Sequence, residues 1–73
     1  MEENKQLIIQ TLKADLEELK AISDNDQENG DFYYKEGNNR LASYYYSRYE
    51  GSLLAISLLT ISIDTIEQYL NKL

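Results

Sequence analysis

The residues best equipped for recognition in this 73-residue chain stand together: Tyr44, Tyr45, Tyr46, Arg48 and Tyr49, with Arg40 one or two turns earlier. Tyrosine and arginine bring large, stiff contact area with a polar tip, and both are enriched at binding hot spots. On a helix, Tyr45 and Tyr49 share one face, Tyr44 and Arg48 share the neighbouring one, and Tyr46 points away. Three uses compete for this cluster. The tyrosines can pack in a thin core with their hydroxyls at its wet edge, they can form a protein-binding surface, or they can stack on bases with Arg40 and Arg48 on phosphate. Two arginines make a short basic track in a chain of net charge −6, which argues against direct nucleic-acid binding. The partner-binding residues expected are therefore Arg40, Tyr44, Tyr45, Arg48 and Tyr49.

A second group is acidic: Asp15, Glu17, Glu18, Asp24, Asp26, Glu28 and Asp31. Residues 1–31 hold three Lys against nine Asp and Glu, while residues 32–73 hold four of each sign, so the whole net charge sits in the first half. Such a face could imitate a phosphate backbone and occupy a nucleic-acid-binding site on another protein. Its mark is salt sensitivity, because surface electrostatics are screened as ionic strength rises.

Within this group, DNDQENGDFYYKE (residues 24–36) resembles an EF-hand calcium loop, whose pattern needs oxygen ligands at positions 1, 3, 5 and 12 and glycine at 6. Placing Gly30 at 6 and Glu36 at 12 puts Asn25, Gln27 and Asn29 at 1, 3 and 5, which removes most of the carboxylate charge. Taking Asp24, Asp26 and Glu28 as ligands leaves Gly30 one place late. The resemblance implies at most a degenerate single calcium site, and no metal or cofactor is expected.

Catalytic chemistry has little to work with. There is no His and no Cys, which removes the commonest general base, the thiolate nucleophile and disulfides together. Ser52, Ser57 and Ser62 have no cation near in sequence to activate them. Gly30, Gly37 and Gly51 stand alone, so no phosphate-cradling loop is present. The expectation is a non-enzymatic protein.

The elements that must position these residues are helical, and the absence of proline suits long uninterrupted helices. Residues 3–23 form an amphipathic pattern, with Ile8 or Ile9, Leu12, Leu16, Leu19 and Ile22 on one side and Lys13, Asp15, Glu17, Glu18 and Lys20 mostly opposite. Residues 24–31 read as an acidic loop. Phe32, Tyr33 and Tyr34 open a second periodic region in which Asn38 or Asn39 can cap a new helix. From Arg40 the pattern is secure: Ala42, Tyr45, Tyr49, Ser52, Ile56, Leu59, Ile63, Ile66, Leu70 and Leu73 follow one another at steps of three and four. Leu54, Leu58, Ile61, Thr65 and Tyr69 form a second row beside them. The phase holds across Gly51, and a glycine inside a helix costs only about 1 kcal/mol, so one continuous helix is predicted.

The predicted fold is therefore all-α, a single domain over residues 1–73. It is a helical hairpin with a short first and a long second helix, the alternative being a monomeric three-helix bundle broken at Gly51. The mismatched arms leave the end of the long helix without an intrachain partner. That predicts a homodimer in a four-helix arrangement, with Leu58, Ile61, Ile63, Ile66, Leu70 and Leu73 as the oligomer interface. The uncharged run of residues 51–63 is thirteen residues, short of the roughly 20 a membrane span needs, and Asp64 closes it. The acidic start MEENKQ has no signal-peptide pattern, so a cytoplasmic location is expected. Small size, acidity and helicity resemble the inhibitors and regulators encoded by phages and other mobile elements; the resemblance is compositional and no motif carries it.

Overall fold

The computed structural model describes residues 2–72, with side chains from Asn4 to Lys72. Two helices, α1 (Glu2–Lys35) and α2 (Asn39–Asn71), run antiparallel as a hairpin whose Cα extents are 55 × 16 × 11 Å. The arms match: 34 residues against 33. This corrects the expected short and long arms. The three-helix alternative also falls, because α2 passes through Gly51 without interruption.

The seam of α2 is the one its spacing predicts, with Ala42 and Ile63 buried and Tyr45, Tyr49, Ser52, Ile56, Leu59, Ile66 and Leu70 half-buried between and beyond them. The seam of α1 is longer than its apolar residues suggest. Ile9, Leu12, Leu16 and Leu19 are half-buried and continue in unbroken three-four steps through Ser23, Asp26 and Gly30, which are buried, to Tyr33. This is a heptad seam of the kind that lets two helices wrap along each other over their whole length.

Residues 24–31 are thus helix and not loop. Their intrinsic propensity is poor, since Asp and Asn rank low and glycine lower still. Tertiary packing overrides it. Gly30 lies directly under the ring of Tyr46, so closely that an added Cβ would stand 2.6 Å from two ring carbons. Small and polar seam positions on α1 thereby accept the large tyrosines of α2, which is how a close-packed interface fills space.

The chain reverses at residues 36–38. Gly37 adopts φ +79°, its N–H donates to the Tyr34 carbonyl (3.1 Å), and the Asn38 N–H donates to the Tyr33 carbonyl (2.9 Å). These two bonds close α1 in a Schellman motif that needs a left-handed residue, the reason for glycine. Asn38 then caps α2 by accepting from the Leu41 N–H at 3.1 Å. At the open end, Lys13 pairs with Glu67 at 3.3 Å, and Leu70 shares a groove with Ile9.

Matched arms change the fate of the expected oligomer interface. Ile63 is buried inside the hairpin, and Ile66 and Leu70 are half-buried along its seam, so none of the three is an outward residue. Leu58 and Ile61 are exposed, and Leu73 lies outside the described residues. By length and composition, α2 is apolar and long enough to cross a membrane, the one such helix among the described residues.

Candidate functional site

The tyrosine cluster is built on both helices at the closed end. Four rings form a ladder across the hairpin: Phe32 meets Tyr33 edge-on (centroids 5.1 Å), Tyr33 stacks on Tyr45 (5.7 Å, planes 5° apart), and Tyr45 meets Tyr44 edge-on (5.1 Å). Both edge-to-face and offset-stacked contacts are favourable geometries for the ring quadrupoles. The inner rungs are half-buried, while the outer rings, Phe32 and Tyr44, are 56% and 53% exposed.

Arg48 extends the ladder. Its guanidinium carbon sits 5.7 Å from the Tyr44 ring centroid, its Nη1 donates to the Tyr44 hydroxyl at 3.2 Å, and its Nε lies 3.4 Å from Asp26 Oδ2. The Tyr44 hydroxyl and the Asp26 carboxylate, in that order, hold the guanidinium more firmly in its charged form and raise its pKa. Asp26 is 2% exposed, and its Oδ2, though ion-paired, makes no hydrogen bond. A carboxylate so placed is costly unless its cation stays in position. The pair therefore fixes the side chain of Arg48 beside Tyr44.

On the other edge of the hairpin, Tyr46 donates its hydroxyl proton to Asp31 Oδ1. That bond, followed by desolvation and the charge of Asp31, raises the phenol pKa above its ordinary value. The sequence reading had Tyr46 pointing away. It is instead half-buried over Gly30, one step beside the seam. Local reading gives no signal for it, because Gly30 among polar and acidic residues signals a loop.

Among the five expected partner-binding residues, Tyr44 contacts both Tyr45 and Arg48 as described. Tyr49 is half-buried in the seam, and Arg40 is exposed in the first turn of α2. Phe32, Tyr34 and Leu41 were missed as surface residues; all three are exposed near the turn. Their seam-like spacing hid them, because without the turn's position neither helix could be assigned its outward face.

The acidic group divides in the same way. Asp26 leaves the surface, whereas Asp15, Glu17, Glu18, Asp24, Glu28 and Asp31 are exposed. Helical spacing aligns Glu17, Asp24, Glu28 and Asp31 in one stripe along α1. Lys20 partly neutralises its N-terminal end, with Nζ 3.4 Å from Glu17. The same helix replaces the loop on which the EF-hand resemblance of residues 24–36 depended. Carboxylates at 24, 26 and 28 are turned by about 100° per residue around the helix axis and cannot converge on one ion.

No protein-family model, curated protein or solved structure matches this chain.

Proposed function

We propose that this chain is a non-enzymatic helical protein-interaction module of the cytoplasm, a homodimer that regulates or inhibits another protein. The observation that supports the reading is the aromatic ladder at the closed end. It offers Phe32 and Tyr44 to solvent from stacked, half-buried inner rings, with Arg48 held beside Tyr44 by a buried carboxylate. Large aromatic surface presented without flexibility is what binding anchors supply, because little side-chain entropy is lost on contact. Proteins that act as inhibitors by occupying a surface need no catalytic groups, in keeping with the lack of His and Cys.

The test is recovery of a stoichiometric partner by the tagged full-length chain from the cells that encode it. The expected result is a partner retained in high salt and lost on Phe32→Ala or Tyr44→Ala. A partner held equally well by these variants contradicts the reading.

A second reading is favoured by the exposed stripe of Glu17, Asp24, Glu28 and Asp31: an acidic inhibitor of phage or mobile-element type that mimics nucleic acid and blocks a nucleic-acid-binding host or defence protein. It predicts the reverse pattern. The partner would be released steeply by salt and by Asp24→Asn with Glu28→Gln, and would be indifferent to Tyr44→Ala.

A further inference from the structure

The inference here rests on the proposed homodimer and names the surface that would make it. The outward side of α2 carries Leu54, Leu58 and Ile61, which are 64%, 58% and 63% exposed, followed by Thr65 and Tyr69. Their steps of four, three, four and four nearly repeat the rhythm of the inner seam, from which they are turned away around the helix. From Leu54 to Tyr69 the stripe runs roughly 22 Å. Ile8 of α1 is also exposed, near the open end of the hairpin. α2 thus carries two apolar seams, and α1 covers one.

We infer that the stripe of Leu54, Leu58, Ile61 and Tyr69 docks a second copy of this chain, α2 against α2, to give a four-helix assembly. Area supports that occupant. The chain exposes 5698 Å², against roughly 4,700 Å² expected of a compact monomer of its mass, an excess of about 1,000 Å². A specific dimer of ordinary size buries about 800 Å² on each partner. Charge supports it as well. Residues 32–73 carry four charges of each sign, whereas the net charge of −6 lies in residues 1–31. Pairing through α2 keeps the two acidic α1 helices on the outside and apart. A membrane surface fits the same stripe less well, because interfacial helices flank their apolar face with Lys and Arg, and this chain is acidic. The interior of the hairpin adds a further reason: Ala42 and Ile63 are its only buried apolar residues among those described, too small a core for two helices to hold by themselves.

This surface differs from the one the sequence reading expected, since Ile63, Ile66 and Leu70 are now intrachain. The distinction is testable. Sedimentation equilibrium of the full chain should give a dimer, and Leu58→Glu with Ile61→Glu should shift it to monomer or raise its dissociation constant by at least 100-fold. Because folding and pairing could be coupled, a second variant is read in the assembled state. Ile61→Cys, the sole cysteine in the chain and near the stripe's midpoint, should cross-link to itself under mild oxidation in either two-fold orientation. A wild-type dimer that neither Glu substitution weakens and Ile61→Cys does not cross-link overturns this surface while leaving the homodimer standing. A wild-type monomer overturns both. Binding of the monomer to phosphatidylcholine vesicles, lost on Leu58→Glu, would give the stripe to lipid and also overturn the inference.

Discussion

Asp26 and Tyr46 show how single residues set this hairpin's behaviour. Asp26 is buried against a half-exposed Arg48, and the two partners are not equivalent. Removing Arg48 strands a carboxylate in the interior, whereas removing Asp26 only leaves a solvated cation. Arg48→Ala should therefore lower stability, by less than the breaking of a fully buried pair costs, because water screens the guanidinium. Asp26→Ala should cost less, and the double variant should recover part of the Arg48→Ala loss; denaturant melts of the four proteins form the cycle. Tyr46 gives a pH signature. Its folded pKa is raised above 10.0 by the bond to Asp31, so the stability it contributes is complete below pH 10 and is lost as pH climbs through the folded value. Alkaline melting of the wild type should fall more steeply above pH 10 than that of Tyr46→Phe, the other tyrosines being common to both.

At the scale of the helices, legibility followed hydrophobic contrast. The inner seam of α2 was readable from Ala42 to Leu70 because apolar and aromatic residues mark nearly every step, and its continuity through Gly51 followed from the unbroken phase and the small cost of a glycine within a helix. The C-terminal third of α1 was not readable. There the seam is written in Ser23, Asp26 and Gly30, residue types that signal loops when read locally, and only the tyrosines facing them explain the choice. Asn38 was recognised as a possible cap, yet the acidic segment's composition outweighed it. Two glycines expose the difference between local and tertiary control. Gly30→Ala gains helix propensity but drives a methyl group into the Tyr46 ring, for a net loss of about 1–2 kcal/mol. Gly51→Ala meets open space and should stabilise by about 0.5–1 kcal/mol. Thermal melts of the two variants should move in opposite directions; a shared direction would mean that Tyr46 does not sit on Gly30.

For the whole molecule, where the chain turns decides which surfaces are free. A turn at 24–31 would leave the end of α2 bare and bury the ladder differently. The turn at Gly37 covers Ile63, Ile66 and Leu70, raises the tyrosine ladder to the closed end, and leaves Leu54, Leu58 and Ile61 as the unpartnered stripe. The candidate site was legible in its residue types, because Tyr44 and Arg48 share a helical face whatever the fold. Its geometry was not, since Phe32, Tyr33 and Asp26 reach it from the other arm. Both the proposed binding end and the proposed dimer stripe depend on helix through the acidic segment. Amide hydrogen exchange of residues 24–31 in the full chain tests that most directly. Protection of these amides comparable to that of residues 12–19 is the predicted result. Exchange at the rate of an unstructured peptide would contradict the hairpin's matched arms, and with them the placement of every surface argued from it.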